Sequence, residues 1–197
     1  LIETMPSTYG APAKVNVMEE NNKIRIKLLS YDEKGNLTDT VSNTLKNNIL
    51  TYLSEYRMVN DYLDIVSGEV IDLGLEVDLV VDKNESQSDI IKSSIEGIIE
   101  FFRIEKRKMG DPLMVGQLSK TIGSVPGVEN VVDIRVFNKI GNEYSSAQVS
   151  QSYKDTLTKE ILQSDSVVFM KNNQIFQIRF PNKDIKIRVK TLGSTSY

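Results

Sequence analysis

The sequence lacks three residue types that many enzymes use for chemistry. Its 197 residues include no cysteine, no histidine and no tryptophan. The chain therefore has no disulfide, no thiol nucleophile and no metal site of the thiolate or imidazole kind. The commonest general base at neutral pH is also missing, because that role usually falls to histidine. Catalysis is disfavoured, and only a mechanism built on Asp, Glu, Lys, Ser or Tyr stays open.

Long apolar runs and an excess of positive charge are absent as well. No apolar stretch approaches the roughly 18 residues that a membrane helix needs, so we expect no membrane partner. The formal net charge is −3, and nucleic acid therefore has no overall electrostatic reason to bind. The chain starts at Leu1 without a signal-like segment, and we expect it to be part of a longer protein.

The first part of the chain predicts an extended lead-in over residues 1–12, then a β-hairpin and a helix. Apolar and polar residues alternate in KVNV and again in KIRIKLL, which predicts two strands joined by a turn at EENN. In TDTVSNTLKNNILTYLSEYR, apolar residues recur every three or four positions. This spacing predicts a helix with one apolar face, capped by Asp39 or Ser42.

The stretch VIDLGLEVDLVVD, residues 70–82, shows the clearest local pattern in the chain. Apolar residues occupy one side of the predicted strand: Ile71, Leu73, Leu75, Val77, Leu79 and Val81. An acidic row occupies the other side and consists of Asp72, Glu76, Asp78 and Asp82. Because successive side chains on a strand point to opposite faces, we expect the apolar face to pack and the acidic face to be wet.

The acidic row has three interpretations. Carboxylates two residues apart on a strand lie about 6.5–7 Å apart, which is wide for a single metal ion. We favour pairing with a basic row on a neighbouring strand, since opposite charges across strands attract. Two rows qualify: Lys23, Arg25 and Lys27, or Lys186, Arg188 and Lys190. The alternatives are a hard-cation site and basic rows that face an acidic partner.

A second helix is predicted over ESQSDIIKSSIEGIIEFFRIEKRK, with Ser86 or Ser88 as its N-cap. Its predicted buried stripe consists of Ile91, Ile95, Ile98 and Phe102. Gly97 lies inside this helix, and we interpret it as a point of close approach to a strand or another helix. The basic run at 105–108 indicates a solvated helix end, where the helix dipole favours cations; contact with nucleic acid is the alternative.

The stretch KMGDPLMVGQLSKTIGSVPGVENVVDIRV, residues 108–136, contains four glycines. Their spacing does not fit a phosphate-binding loop, and no Gly-Lys-Ser/Thr follows. Asp111 and Pro112 instead predict the start of a short helix that ends at a Gly123 cap. Val125-Pro126-Gly127 suits a type II turn, and a strand is predicted to follow it.

After Phe137 the pattern predicts a polar loop, a short helix over 152–163 and a β-meander over 166–192. Asn172-Asn173 and Pro181-Asn182 are the predicted turns of the meander. This end of the chain is apolar and β-rich, and little sequence follows to cover it. We therefore predict a self-association or partner surface formed by Val168, Phe169, Met170, Ile175, Phe176, Lys186 and Arg188.

The order of these pieces resembles the baseplate J-like proteins of contractile phage tails over residues 13–137. In that family a pattern of the form G..L..S.L...I..V.GV..V follows the second helix. The matching positions here are Gly110, Leu113, Gln117-Leu118, Ile122, Val125, Gly127-Val128 and Val131. Gln117 stands where the family has a small polar residue, with Ser119 just after it.

The resemblance implies an α+β fold: a mixed sheet with helices packed on one face, followed by a smaller β-rich C-terminal region. The implied domains are a lead-in at 1–12, a core at 13–138 and a C-terminal region at 139–197 with a possible dimerisation element. The implied function is a structural part of a tail baseplate wedge in the virion, assembled in the host cytoplasm, without catalytic residues, cofactor or metal.

The resemblance also implies partners, namely a homodimer and other baseplate wedge subunits, with no nucleic acid, membrane or small-molecule substrate. Such a subunit would link neighbouring wedges into the ring around the tail hub and rearrange when the sheath contracts. Two other classes stay open from the residues alone. One is a histidine-free enzyme that uses the acidic row, and the other is an α/β module that binds a small molecule.

Overall fold

A computed structural model describes residues 2, 5–20, 23–56, 62–149, 153–154, 160–161 and 167–191. The helices are α1 Asn43–Ser54, α2 Gln87–Phe101, α3 Val115–Gly123 and α4 Pro181–Asp184. The strands are β1 Lys14–Glu20, β2 Lys23–Tyr31, β3 Leu37–Thr38, β4 Leu63–Ser67, β5 Glu69–Val81, β6 Leu113–Met114, β7 Val128–Lys139, β8 Tyr153–Lys154, β9 Glu160–Ile161, β10 Val167–Val168, β11 Gln174–Gln177 and β12 Ile185–Thr191. The predicted α+β class, with a β-rich C-terminal region, is confirmed. No helix in the described ranges is long and apolar enough to cross a membrane.

The chain forms two compact units, and each is assembled from separate segments. The first unit comprises Leu1–Val70, Lys108–Asp111 and Met170–Ile175. The second comprises Ile71–Arg107, Pro112–Phe169 and Phe176–Tyr197. The sequence predicts a boundary between a core domain and a C-terminal region at residue 138, and this boundary stays a prediction.

The first unit is built on the predicted hairpin. β1 and β2 pair antiparallel from Lys14↔Leu29 to Glu20↔Lys23, and β4 joins the other side of β2 in parallel. A buried cluster joins α1 to these strands and consists of Ile2, Ile26, Leu28, Val41, Ile49 and Leu53. Ser42 is the N-cap of α1, as one of the two predictions had it, because its hydroxyl accepts a hydrogen bond from the Leu45 backbone N–H at 3.2 Å.

The second unit is organised around β5, a 13-residue strand with neighbours on both sides. β7 pairs antiparallel with it from Asp72↔Lys139 to Val81↔Val128, with two register shifts along the way. β12 pairs in parallel on the opposite side, from Ile185↔Leu75 to Thr191↔Val81. β11 also adjoins β5, and β9 and β8 continue the sheet beyond β7. β5 is therefore a central strand.

The prediction of a wet acidic face on β5 is wrong. The side chains of Asp72, Glu76 and Asp78 are buried, with 0%, 6% and 9% of each residue exposed. Because β5 is central, long basic side chains from both neighbouring strands lie over its acidic residues. Asp82, beyond the end of the strand, is only half-buried and accepts a hydrogen bond from the Asn84 N–H at 2.9 Å in a turn.

The helices of the second unit differ from the prediction in detail. Of the predicted stripe, Ile98 and Phe102 are buried, whereas Ile91 and Ile95 are half-buried. Ile90 and Ser94 are also buried, so the prediction is correct for two of its four residues. Ser86 stands at the N-cap of α2, but its hydroxyl bonds to the Ser88 hydroxyl at 2.9 Å instead of to the backbone. Ser86 is therefore the N-cap residue, as one of the two predictions had it, but its side chain makes no capping hydrogen bond.

α3 starts later than predicted. Leu113 and Met114 form the short strand β6, and the helix begins at Val115. The Asp111 carboxylate accepts a hydrogen bond from the Lys108 N–H at 2.8 Å instead of capping α3. Gly123 is the last helical residue, and the C-cap is Ser124.

The turn after α3 is as predicted. Gly127 has φ +84°, and the Val128 N–H donates to the Val125 carbonyl at 3.1 Å, as a type II turn requires. The strand that follows the turn, β7, is also as predicted.

The predicted C-terminal meander is wrong. β10 pairs antiparallel with β6, and β12 pairs in parallel with β5, so these strands do not pair with one another in sequence order. Pro181 begins the single helical turn α4 instead of a hairpin. Alternation and turn residues locate strands but not their partners, which explains the error. Most of the helix predicted at 152–163 lies outside the described residues, and the described pairs 153–154 and 160–161 are strands.

Candidate functional site

The face of β5 that carries Asp72, Glu76 and Asp78, here called the charged face, brings buried carboxylates together with basic side chains of neighbouring strands. Glu76 lies at its centre, and its carboxylate meets three cations. The Arg188 Nη2 donates to Glu76 Oε2 at 2.9 Å, and the Lys186 Nζ lies 3.8 Å from Oε1. Arg135 Nη2 lies 3.9 Å from Oε2. Cations from β12 and from β7 therefore converge on a single buried carboxylate.

Asp78 continues this arrangement one step along β5. Arg135 Nη2 donates to both of its carboxylate oxygens, at 3.2 and 3.3 Å. The Nε atom of the same guanidinium lies 3.4 Å from Asp133 Oδ2. Arg135 thus contacts three carboxylates, which is consistent with the planar fork of donors that arginine presents.

Asp72 begins the row and is completely buried. Its Oδ2 accepts the backbone N–H of Ser145 at 2.7 Å, and its Oδ1 accepts Gln177 Nε2 at 2.9 Å. Burial raises the pKa of this carboxyl, against the opposing effect of the two hydrogen bonds and of the positive charge of Arg179. The carboxylate fastens the segment after β7 and the last residue of β11 to the central strand.

Asp184, in the single turn α4, forms the second buried anchor. Its Oδ1 accepts the Tyr144 hydroxyl at 2.7 Å, and its Oδ2 accepts the Phe180 N–H at 3.0 Å. Lys139 Nζ lies 3.9 Å from Oδ1. Burial, with the hydrogen bond to Asp184 second, raises the pKa of Tyr144 well above its ordinary value, so the phenol stays protonated and donates.

Gly74 explains how Lys139 reaches this anchor. A Cβ built on Gly74 would overlap the Cε of Lys139, so the lysine side chain runs across the space that a larger residue would fill. Gly74 alternates with Asp72 and Glu76 on the same face of β5. The glycine in the acidic row therefore makes room for a counter-charge.

The structure decides between the two predicted basic rows. Lys186 and Arg188 contact Glu76, so pairing of the acidic row with β12 is confirmed for these residues. The other row serves the first unit: Arg25 Nε lies 3.1 Å from Asp64, and Lys27 Nζ lies 3.6 Å from Glu20. Arg25 and Lys27 therefore pair with carboxylates of the first unit, and Lys186 and Arg188 pair with a carboxylate of the second.

The arrangement suits internal charge compensation better than catalysis. Glu76 and Asp78 are paired with cations, and Asp72 and Asp184 accept hydrogen bonds from fixed donors. Within the described part of the chain, no three Asp or Glu residues are placed to hold a metal ion. Paired, buried carboxylates of this kind connect strands.

The predicted partner surface falls into two groups. Val168, Ile175 and Phe176 are each 1% exposed and belong to the interior of the chain. Phe169 is 60% exposed, and the side chains of Lys186 and Arg188 are 60% and 56% exposed. Met170 is half-buried. Only the exposed members are accessible to a partner, and the surface itself stays a prediction.

The basic run at 105–108 makes contacts typical of a helix end. Arg107 donates to the Phe101 carbonyl at 2.8 Å, at the end of α2, and Lys106 pairs with Glu100. The hydrogen bond from Lys106 lowers the pKa of the Glu100 carboxyl. These contacts favour the interpretation of this run as a helix end.

Gly97 was interpreted as a point of close approach to a strand or another helix, and in the structure it faces α3. A Cβ at this position would lie 3.9 Å from Thr121 Cγ2 and 4.0 Å from Val125 Cγ2. These are ordinary van der Waals distances, so an alanine would fit. Close packing therefore does not require glycine here.

Sequence reasoning missed several members of the charged face. Arg135 and Lys139 could have been found, because they alternate on the strand that follows the type II turn. Tyr144 lies in a loop and Asp184 in a four-residue helix, and neither has a periodic pattern to indicate its role. Their positions depend on contacts between residues 40 positions apart.

No protein family and no curated protein matches the chain by sequence. Among solved structures, the chain is similar to one in the cryo-EM structure of the anti-feeding prophage (AFP) baseplate, six-fold symmetrised. The TM-score is 0.42 with 9% identity, and the match covers 96% of this chain and 40% of that chain. The chain thus spans less than half of that neighbour's length, and any inference about function has to come from its own residues.

Proposed function

We propose that this chain is a structural subunit of a contractile-tail baseplate, of the wedge type found in T-even phages. The observation that carries the proposal is the pattern of glycines and apolar residues between Gly110 and Val131, which resembles the J-like family. The proposal concerns a virion component that contacts other baseplate subunits and catalyses no reaction.

The fold gives a physical reason for several aliphatic positions and two glycines of this pattern. Leu113 in β6 and Leu118 and Ile122 in α3 are fully buried. Gly110 and Gly127 have φ values of +85° and +84°, which residues with a side chain rarely adopt. The pattern therefore specifies a shape, namely a turn, a short helix and a tight turn into a long strand. A shape pattern of this kind fits a structural family better than a catalytic one.

The charged face of β5 supports the same proposal. Its carboxylates are engaged with cations or fixed donors, and they tie β5 to both neighbouring strands. Ionic and hydrogen-bonded ties across strands resist sliding of one strand past another. A subunit that transmits force during contraction needs a sheet with that property.

The finer parts of the proposal follow from the family resemblance. The chain would self-associate as a homodimer and link neighbouring wedges into the ring around the tail hub. The ring would rearrange when the sheath contracts, with the units of this chain moving as stiff bodies. The exposed residues of the predicted partner surface, Phe169, Lys186 and Arg188, are candidates for these contacts.

The proposal is tested by asking whether the chain travels with tail particles. Particles are purified by density gradient from the cells that produce the protein, and each fraction is analysed by quantitative mass spectrometry. We expect the chain in the particle fraction at a fixed ratio to the sheath protein. A chain that stays entirely in the light fractions, while intact tails are present, would contradict the proposal.

Self-association is tested separately with the purified chain. Sedimentation velocity at micromolar concentrations should show a dimer, and a strict monomer would remove that part of the proposal. Isothermal titration with Mg²⁺ and Ca²⁺ addresses the rival class. Stoichiometric binding that depends on Glu76 and Asp78 would favour a carboxylate-dependent enzyme instead.

A further inference from the structure

The outer edge of β12, which is the side that does not pair with β5, is suited to pairing with an additional strand. β12 pairs with β5 over all seven of its residues, from Ile185 to Thr191, without a register shift. Among the residues that the structure describes, no strand pairs with its other side. The strand contains no proline and no glycine, so nothing in its backbone prevents a second ladder of hydrogen bonds.

The side chains of β12 differ between its two faces. Lys186, Arg188 and Lys190 are exposed and share the face that carries the acidic row of β5. Ile185, Ile187 and Val189 point to the other face, where Ile185 is buried and the other two are half-buried. A strand that adds to this edge must match positive charge on one face and aliphatic side chains on the other.

The sequence of β5 shows which side chains suit a strand that pairs with β12. The segment LEVDLVV, residues 75–81, is the partner of β12 on its inner edge. It offers Glu76 and Asp78 to the basic face and Leu75, Val77 and Leu79 to the other face. A strand presents the same side chains to both of its neighbours, so the outer edge calls for the same alternation.

Lys190 differs from the other two members of the basic row in its contacts. Lys186 and Arg188 already contact Glu76, whereas Lys190 lies opposite Val80 in the pairing with β5. In the described part of the chain no carboxylate forms an ion pair with it. An incoming acidic residue would give this lysine its counter-charge.

A second copy of this chain fits the edge poorly. Two β12 strands side by side would place like charges opposite one another, which is destabilising. The β7 strand of a second copy carries exposed Glu129 and Asp133, but it has two register shifts in that half. Bulges of this kind twist an edge away from regular pairing.

We propose that the outer edge of β12 binds an extended segment of a different protein, with acidic and aliphatic residues in alternation, as an additional strand of the sheet. The main-chain ladder would supply affinity, and the basic row would select acidic segments. This interaction surface is independent of the proposed baseplate role, since it requires only a partner segment of that chemistry.

The test uses a fluorescein-labelled peptide with the sequence LEVDLVV and measures its binding to the whole chain by fluorescence anisotropy. Two control peptides separate the contribution of backbone hydrogen bonds from that of charge. In one, alternate backbone amides are N-methylated, which removes the donors for the ladder; in the other, the two acidic residues are replaced by lysine. We expect saturable binding of the parent peptide only, and binding that weakens as salt is added.

Variants of the chain then locate the site. Lys190→Glu should weaken binding by about fivefold, because attraction becomes repulsion at one cross-strand position. Lys92→Glu changes another exposed lysine, on α2, and is the matched control that should leave binding unchanged. Circular dichroism and the urea midpoint should show that both variants fold as the wild type does.

Four results would overturn the proposal. The first is the absence of saturable binding of LEVDLVV. The second is equal binding of the N-methylated peptide, and the third is an unchanged affinity in Lys190→Glu. The fourth is a homo-oligomer that Lys190→Glu dissociates while the peptide does not bind, since the occupant would then be a second copy. None of these results bears on whether the chain travels with tail particles.

Discussion

Replacing Glu76 by glutamine should destabilise the second unit substantially. The substitution keeps the size of the side chain and removes its negative charge. Glu76 is 6% exposed and meets Arg188 at 2.9 Å, Lys186 at 3.8 Å and Arg135 at 3.9 Å. The charge is therefore the only large property that changes, and it sits where three cations converge.

The expected loss of stability depends on two opposing contributions, the attraction between charges and the cost of desolvation. A pair of unit charges 2.9 Å apart attracts by about 6 kcal/mol at an effective dielectric constant near 20. The desolvation of a buried carboxylate costs several kcal/mol and offsets much of this attraction. Lys186 and Arg188 are more than half exposed and regain water when Glu76 is neutral. We therefore expect a net loss of about 1.5–3 kcal/mol, the range for hydrogen bonds to charged groups.

Urea unfolding followed by circular dichroism measures this loss. With a slope of about 2 kcal/mol per molar urea, the midpoint for Glu76→Gln should fall by about 0.7–1.5 M. Glu96→Gln, an exposed glutamate on α2, is the matched control and should leave the midpoint unchanged. If Glu76→Gln behaves like this control, the buried carboxylate does not hold the strands together and the reasoning fails.

Three further substitutions test other parts of the structure. Gly97→Ala should stabilise the chain by up to about 1 kcal/mol, because alanine favours the helix and its Cβ meets nothing closer than 3.9 Å; a lower urea midpoint would contradict this. Gly127→Ala should destabilise it by about 1–2 kcal/mol from the positive φ alone, with further loss from overlap with Ile90 at 2.6 Å, and an unchanged midpoint would contradict it. Asp72→Asn tests a pH effect: since burial raises the folded-state pKa of Asp72, its contribution to stability is present below the ordinary aspartate pKa and is lost as the pH rises through the raised value. The wild type should therefore lose stability relative to Asp72→Asn over that window in urea titrations at a series of pH values, and a constant difference would refute the assignment.

Local patterns in the sequence predicted the elements whose causes are themselves local. The alternation in residues 70–82 predicts β5, and Ser42 three residues before the Leu45 N–H predicts the start of α1. Pro126 and Gly127 predict the type II turn, because each satisfies one backbone angle of that turn. For the helix cap and the turn, the hydrogen-bond partners lie within four residues of each other.

Features that depend on distant segments were not predictable in the same way. The acidic face of β5 is buried because β12, more than 100 residues further along the chain, pairs with it in parallel. The alternation of β12 is visible in the sequence, but its partner and direction are not. Asp111 and Pro112 favoured a helix start at that point, yet β6 occupies Leu113–Met114 and pairs with β10, so a tertiary contact overrides the local preference.

In the candidate site, too, some features were predictable from local patterns and others depend on distant segments. The match between an acidic and a basic row was predictable from two period-two patterns, although the sequence alone did not choose between two basic rows. The anchor formed by Tyr144 and Asp184 was not predictable, because it joins a loop to a single helical turn. Gly74 could be assigned a purpose only once Lys139 was seen to cross it.

The central claim is that this chain serves as a structural part of a baseplate. The most direct measurement is a cryo-EM reconstruction of intact tail particles that carry a small tag on the C-terminus of this chain. We predict tag density at repeated positions in the ring around the tail hub, with both compact units fitting the adjacent map. A reconstruction in which the complete ring is assigned to other proteins, with no tag density, would contradict the claim.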